Sequence, residues 1–210
     1  MRVLINDAAV GDGPGAALDP VSLEYAAGAA SLVATEGGQR PTVLSLVAAG
    51  RMTPTAGSVE PAGLHRRVAL VDTPNVAEHS ADQRLDHVVG EELALASRPH
   101  GRRAVHAMLA EHDLLERRRA PFGSLPAADR IRLLLSLTAT RPGVEGIVLT
   151  SPERHGGAPA DWWRLARATA ASGIAVLVVT DAASVDAIAR LPHSEPSRPD
   201  DVALFESSWS

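Results

Sequence analysis

Apolar residues near the start of the chain fall into three short stretches that are separated by glycine-containing turns. They cover residues 2–5, 21–25 and 29–33. Stretches of this length and spacing are typical of strands in a mainly β region. A glycine-rich loop follows at residues 34–41, and residues 43–47 then carry apolar side chains at helical spacing. The sequence therefore predicts a strand, a glycine loop and a helix in succession.

The middle of the chain changes from strand patterns to helical ones. Two further strands are predicted at residues 58–60 and 67–71. Between residues 81 and 119 the apolar positions recur at helical spacing, which predicts a helical insert of roughly 40 residues. Another helix, over residues 127–138, follows the insert.

The last third of the chain has the pattern of a parallel sheet. Residues 146–149 and 175–179 are continuously apolar and rich in β-branched side chains, as in strands that are covered on both faces. A helix carrying Trp162 and Leu165 lies between them and is the expected crossover. A short helix near residues 184–190 comes last, before a C-terminal tail at residues 191–210 in which Pro, Ser and Asp are frequent. These elements predict an α/β fold.

Composition excludes several classes of function. The 210 residues include 20 Arg, no Lys and no Cys, and the net charge is −5. No cysteine site can form, and binding to nucleic acid is not expected of an acidic chain with few aromatic residues. The longest apolar run, residues 174–179, is far shorter than the roughly 20 residues that cross a bilayer. The chain also reaches Asp7 before the apolar core of a secretory signal could form. We therefore expect a cytoplasmic protein that does not insert into the membrane.

Taken in order, these segments resemble the nucleotide-binding domain of ATP-binding cassette (ABC) proteins over about residues 1–190. The stretch from VSLEYAAG to TAGSVEPAG is similar to the family's strand, phosphate loop, helix and following strand. LPAADRIRLLLSL is similar to the signature motif and its helix, GIVLTSP to the Walker B strand, and AVLVVTDAAS to the strand before the switch histidine. The resemblance implies one domain at 1–190 with the P-loop NTPase-like ABC ATPase fold. This fold has a parallel core sheet, an antiparallel β portion and a helical subdomain near residues 76–125.

The phosphate loop departs from the family pattern GxxxxGK[ST]. Arg40 stands at the place of the lysine, and Pro41, which has neither an N–H nor a hydroxyl, at that of the Ser or Thr. Because the chain has no lysine, no shift of the alignment can restore it. The resemblance leaves a vestigial phosphate loop whose candidate binding residues are Gly37, Gly38, Gln39, Arg40 and Thr42.

The other motifs have also lost the residues that act in the family. The altered positions are Thr73 of the Q-loop, residues 125–129 of the signature, Thr150 and Ser151 of Walker B, and Asp181 of the switch. Phosphoryl transfer depends on positioned charge, and losing one such contact typically costs about 10²- to 10³-fold in rate. The resemblance thus implies a pseudo-ATPase with no catalytic residue, no metal ligand and no expected cofactor.

Three functions remain open at this stage. The first is a binding or regulatory subunit. It would form a homodimer or pair with an ABC-type partner subunit, and it would dock on a permease-like integral membrane protein at the inner face of the membrane. The second is an ATP-binding subunit that energises a transporter, with Arg40 and Thr42 taking the phosphate and metal roles for ATP and Mg²⁺. The third is an anion sensor that uses the helix N-terminus after Gln39.

Other residues are interpreted as structural. Glu36 and Asp72 are expected to be exposed loop acids, and no nucleophile-elbow sequence surrounds Ser151 to support a triad with His155 and Asp161. Histidines 100, 106 and 112 are spaced by six residues, unlike the i, i+4 pair of a helical metal site. The basic run Arg117, Arg118 and Arg119 precedes the signature-like loop. The resemblance implies that this region faces a membrane partner.

Overall fold

The computed structural model describes residues 1–35 and 37–191, so Glu36 and most of the predicted C-terminal tail lie outside the described residues. Seven strands are described: β1 (Arg2–Val10), β2 (Leu18–Ala26), β3 (Ala30–Ala34), β4 (Ala56–Glu60), β5 (Val68–Val71), β6 (Gly146–Thr150) and β7 (Ala175–Thr180). They form an antiparallel sheet in the order β2-β1-β4 and a parallel sheet in the order β3-β7-β6-β5. The predicted α/β class, with parallel and antiparallel portions, is confirmed.

Six α-helices connect and cover these strands. They are α1 (Arg40–Ala48), α2 (Leu85–Leu95), α3 (Arg102–Glu111), α4 (Ala127–Ala139), α5 (Pro159–Ala171) and α6 (Ala182–Ala189). Helix α1 follows β3 directly, and α5 crosses from β6 to the parallel strand β7, as predicted. Within residues 1–35 and 37–191, no helix is both long and apolar enough to span a membrane.

The parallel sheet separates two apolar cores. Side chains alternate along β6, so that Ile147 and Leu149 pack on the side of α2 to α5 while Val148 packs on the side of α1 and the antiparallel sheet. All five residues of β6 and all six of β7 are buried. This two-sided burial explains why both strands are continuously apolar in the sequence.

Strand β1 is longer than the sequence pattern predicts. The apolar stretch ends at Ile5, yet pairing with β2 continues to Val10 across an irregularity at Asp7. Asp7 has a φ of +44°. The Ser22 hydroxyl on β2 accepts a hydrogen bond from the Asp7 N–H and donates one to its carboxylate, both at 2.9 Å. A bulge stabilised by its own side chain breaks the alternation that marks a strand.

Candidate functional site

The glycine loop joins the end of β3 to the start of α1. Gly37 and Gly38 have φ values of +90° and +52°, a left-handed conformation that glycine adopts without a steric penalty. Gln39 caps α1 without a side-chain hydrogen bond, and Pro41 occupies the first turn of the helix. The five predicted loop residues, Gly37, Gly38, Gln39, Arg40 and Thr42, thus lie in one loop and the helical turn that follows it.

Arg40 is committed to an ion pair with the antiparallel sheet. Its Nη1 lies 2.8 Å from the Asp19 Oδ2 on β2, and the Arg40 side chain is 32% exposed. The guanidinium therefore already pairs with a carboxylate of β2. An anion in the loop would have to compete with the Asp19 carboxylate for it.

A chain of three hydroxyls joins α1 to the ends of β5 and β6. Ser45 Oγ donates to the Pro41 carbonyl, and Thr150 Oγ1 donates to Ser45 Oγ, each at 2.8 Å. Thr73 Oγ1 lies 2.8 Å from Thr150 Oγ1. Because Thr150 has already used its single proton, Thr73 must be the donor. Ser45, Thr73 and Thr150 are all fully buried.

This hydroxyl chain does not fit a magnesium site. Mg²⁺ is held in proteins through one or two carboxylates together with water and substrate phosphates. Here the protons of all three hydroxyls are used in the hydrogen bonds described, and the three residues are fully buried. Across the described residues, no cluster of three or more His, Asp or Glu side chains is arranged to hold a metal ion.

Asp72 corrects the sequence interpretation, because it is not an exposed loop acid. Its side chain is fully buried directly after β5 and is bound by Nη2 of Arg130 at 2.8 Å and Nη2 of Arg154 at 2.9 Å. His155 Nε2 lies 2.6 Å from the other carboxylate oxygen. Burial raises the pKa of Asp72, but the hydrogen bonds from His155 and Arg130 and their charges outweigh it and lower the pKa to about 2. An ionised carboxylate only accepts, so His155 Nε2 carries a proton.

These contacts also settle the arrangement of Ser151, His155 and Asp161. His155 is bound to Asp72, whereas Asp161 pairs with Arg164 at 3.2 Å. The three residues therefore do not assemble into a triad, as the sequence interpretation held. The sequence signal for the Asp72 cluster was an arginine, Arg130, among the apolar positions of a helix, since a buried charge requires a buried partner.

Two more carboxylates lie at the carboxyl end of β7. Asp181, at the switch position, caps α6 by accepting from the Ser184 N–H at 2.7 Å. Glu153 accepts from the Thr180 hydroxyl at 2.6 Å. Asp181 is thus used for helix capping, while the Glu153 carboxylate lies beside the end of β7, two residues after Ser151 in the chain.

A cavity of about 490 Å³ lies between α2 and α3, and the glycine loop contributes none of its lining residues. His87, His100, Arg102 and His106 contribute to the lining. His112, the third histidine of the six-residue spacing, is instead buried, and its Nε2 lies 3.2 Å from the Ser136 hydroxyl. His112 therefore lies apart from His100 and His106, which both line the cavity.

The sequence matches no protein-family model and no curated protein. Solved structures do match. A nucleotide-free ATP-binding cassette from an ABC transporter is 19% identical with a TM-score of 0.61, covering 90% of this chain and 84% of that chain. The ADP conformation of an ATP-binding cassette is 19% identical, with a TM-score of 0.60 and coverage of 86% and 82%. An ATP-binding subunit of an ABC transporter is 15% identical, with a TM-score of 0.57 and coverage of 88% and 81%. Identities this low establish the fold alone: the chain has the fold of the ATP-binding cassettes of ABC transporters.

Proposed function

We propose that the chain is a catalytically impaired homologue of ABC ATP-binding proteins, a pseudo-ATPase that acts as a binding or regulatory subunit. The observation that carries the proposal is the hydroxyl of Thr150. It lies at the end of β6, fully buried and hydrogen-bonded between Ser45 and Thr73. A site that neutralises the charge of a transferring phosphoryl group needs a carboxylate-bound cation there, and Thr150 supplies instead a hydroxyl that is already bonded to Ser45 and Thr73.

Two further contacts support the loss of chemistry. The guanidinium of Arg40 is paired with Asp19, and the carboxylate of Asp181 caps α6. Each removal of a positioned electrostatic contact typically lowers the rate by about 10²- to 10³-fold. Several simultaneous losses leave no route to hydrolysis at a useful rate.

The partners and the location are part of the same proposal. The names of the matching structures describe ATP-binding parts of ABC transporters. By analogy, this chain would form a homodimer or pair with an ABC-type subunit. It would dock on a permease-like membrane protein from the cytoplasmic side. Arg117 and Arg119 are exposed before α4, where they are available to an acidic surface of such a protein.

Equilibrium binding of ATP with and without Mg²⁺ tests the proposal, with phosphate release and oligomeric mass measured on the same sample. We expect no Mg²⁺-dependent hydrolysis above a protein-free control. Arg40→Ala is the test variant, and Arg51→Ala, at another exposed arginine, is the matched control. Mg²⁺-dependent hydrolysis that Arg40→Ala removes and Arg51→Ala leaves intact would refute the pseudo-ATPase.

One contact favours a second candidate, an ATP-binding subunit that energises a transporter through an atypical loop. Glu153 is oriented by the Thr180 hydroxyl at the carboxyl edge of the parallel sheet, and Thr42 keeps a hydroxyl in the first turn of α1. This reading requires Glu153 to polarise the attacking water. Glu153→Gln should then abolish hydrolysis, whereas Glu145→Gln, at an exposed glutamate, should not.

A further inference from the structure

Two buried carboxylates tie the helices to the edge of the parallel sheet. The first is Asp72, which is held by Arg130 of α4 and by Arg154 and His155 of the segment after β6. The second is Glu92 on α2, whose side chain is only 5% exposed. Its two oxygens accept from Nε2 of His79 at 3.0 Å and Nη2 of Arg141 at 2.5 Å. Burial raises the pKa of Glu92, but the contacts with His79 and Arg141 outweigh it, so its pKa is lowered.

Phe122 connects the two carboxylate groups. The Arg130 guanidinium carbon lies 4.4 Å from the centre of the Phe122 ring, a cation–π contact. On the same ring, His79 makes an edge contact with centroids 5.7 Å apart and planes at 83°. Phe122 is fully buried. The described contacts therefore run without a gap through Asp72, Arg130, Phe122, His79, Glu92 and Arg141, and we name these six residues the brace.

The brace joins segments that are far apart in the sequence. Asp72 ends β5, His79 lies in the loop before α2, and Glu92 lies on α2 itself. Arg130 is near the start of α4, and Arg141 just follows its end. One series of contacts thus reaches from the sheet edge to α2 and returns to the far end of α4.

Ordinary core packing does not account for this arrangement. Buried ion pairs carry a desolvation cost, and apolar side chains of similar volume are often at least as stabilising. Ionic and aromatic contacts are directional, however, so they fix an orientation that apolar packing leaves looser. The Nε atoms of Arg130 and Arg141 are buried without a hydrogen-bond partner among the described residues.

We propose that the brace is a conformational coupling device that fixes the orientation of α2 relative to the carboxyl end of β5. A disturbance at Asp72 is transmitted through Phe122 to α2, although Asp72 and α2 share no ion pair. Spatial continuity alone does not demonstrate coupling, and the physical evidence has to be a non-additive response of the two ends.

Hydrogen exchange of the α2 amides in four forms of the full chain measures that response. They are the parent, Arg154→Gln, which removes the contacts of Arg154 with Asp72 and with Glu78 beside His79, Arg141→Gln at the other end, and the double variant. Both arginines are partly exposed, at 24% and 20% of their side chains, so their replacement should leave the protein folded. We expect each single change to speed α2 exchange by about threefold or more, and the double variant to stay within about twofold of the larger single effect.

If the two ends of the brace act independently, the α2 exchange rate of the double variant should rise by the product of the two single increases. This result would overturn the proposed coupling. An α2 that does not respond to Arg154→Gln would overturn it as well. Arg67→Gln is the matched control, because it breaks the exposed Arg67–Glu145 pair at the opposite end of β5 and should leave α2 unchanged. Exchange in β1 and β2 reports whether the fold is intact.

Phe122→Leu provides a second test that changes no charge. If the ring transmits the effect, Arg154→Gln should no longer alter α2 exchange once Phe122 is replaced. A persisting effect of Arg154→Gln in that background would show another route and would contradict the role of Phe122. None of these measurements involves nucleotide, so their outcome is independent of whether the chain hydrolyses ATP.

Discussion

Arg130 and Asp72 are 58 positions apart in the sequence, and they form a salt bridge of 2.8 Å in which the two side chains are 5% and 0% exposed. Neither charge could be buried alone, because an isolated ion in the interior costs many kcal/mol. The pair therefore fixes how the start of α4 lies against the end of β5. The burial of each of these two charged residues is explained only by the presence of the other.

Replacing Arg130 with methionine should destabilise the protein by about 3 kcal/mol, because the Asp72 carboxylate would stay buried with less compensation. Urea unfolding of Arg130→Met, Asp72→Asn and the double variant measures the effect. We expect the double variant to be more stable than the sum of the two single losses predicts, since it removes both charges. A loss below about 1 kcal/mol for Arg130→Met would show that Arg154 and His155 suffice.

The free energy of unfolding should fall in acid, because the Asp72 carboxylate becomes protonated. Its pKa is about 2 in the folded state, below the value near 3.9 of an unfolded chain. The folded protein thus binds fewer protons, and the stabilisation is complete above about pH 4 to 5 and is lost as the pH falls through about 2. It amounts to about 3 kcal/mol, of which about 1 kcal/mol disappears between pH 6 and pH 3.

Urea unfolding of the parent and Asp72→Asn at both pH values isolates this contribution. The difference in unfolding free energy between the two proteins should shrink by about 1 kcal/mol at pH 3. Glu92, whose pKa is also lowered, adds to the acid sensitivity of each protein, so the difference between the two proteins is the quantity that reports on Asp72. If the difference in unfolding free energy between the parent and Asp72→Asn is the same at both pH values, then the pKa of Asp72 is not lowered by its neighbours.

Tyr25 is the single tyrosine of the chain, and its hydroxyl donates to the Ala48 carbonyl at the end of α1 at 2.8 Å. Tyr25→Phe should cost about 1 to 2 kcal/mol, because the buried carbonyl loses its partner while the ring is kept. Burial raises the pKa of Tyr25 above its ordinary range. The folded state therefore keeps its proton, and stability falls as the pH rises above about 10, the ordinary pKa of tyrosine.

An alkaline titration followed at 295 nm tests the buried tyrosine directly. Tyrosinate absorbance should appear together with the loss of far-ultraviolet helical signal, because Tyr25 ionises only when the chain unfolds. Ionisation near pH 10 in a protein that is still folded would place the hydroxyl in solvent and would contradict its hydrogen bond to Ala48.

The parts of the fold that the sequence predicted are those with local signals. Strands β6 and β7 are continuously apolar because both of their faces are covered, and the order of strand, glycine loop and helix is visible in residues 30–48. The burial of Asp72 is different in kind, since it depends on Arg130, Arg154 and His155. A charged residue after a strand looks like a surface residue until its distant partners are known.

The same reason limits what the sequence predicts of the site. The glycines of the loop, Gly37 and Gly38, adopt the positive φ values that a glycine loop requires. The pairing of Arg40 with Asp19, however, depends on how β2 lies beside α1. The hydroxyl chain of Ser45, Thr73 and Thr150 likewise joins three segments. Motif comparison predicts which family groups are absent, and the structure shows the contacts that the residues at those positions make.

Introducing a carboxylate at residue 150 tests whether the segment around the hydroxyl chain can hold magnesium. Thr150→Asp would bury an acid between Ser45 and Thr73, and desolvation should raise the pKa of the new carboxyl. The folded state would then bind more protons than the unfolded state, so stability should fall as the pH rises from about 4 to 7, opposite in sign to Asp72. Urea unfolding at pH 5 and pH 7 measures this slope.

Magnesium provides the decisive arm of the same experiment. A ligand that binds only the folded state raises the free energy of unfolding by mass action. If Thr150→Asp created a magnesium site with a Kd of about 0.1 mM, then 10 mM MgCl₂ would be about 100 times that Kd. The free energy of unfolding would then rise by about 2.7 kcal/mol. We expect no such gain, because Pro41 has no hydroxyl to offer the metal and Thr150→Asp supplies a single carboxylate. Thr150→Ser, which keeps the hydroxyl, is the control. A magnesium-dependent gain in Thr150→Asp but not in Thr150→Ser would show that the metal site is one substitution from recovery and would weaken the pseudo-ATPase proposal.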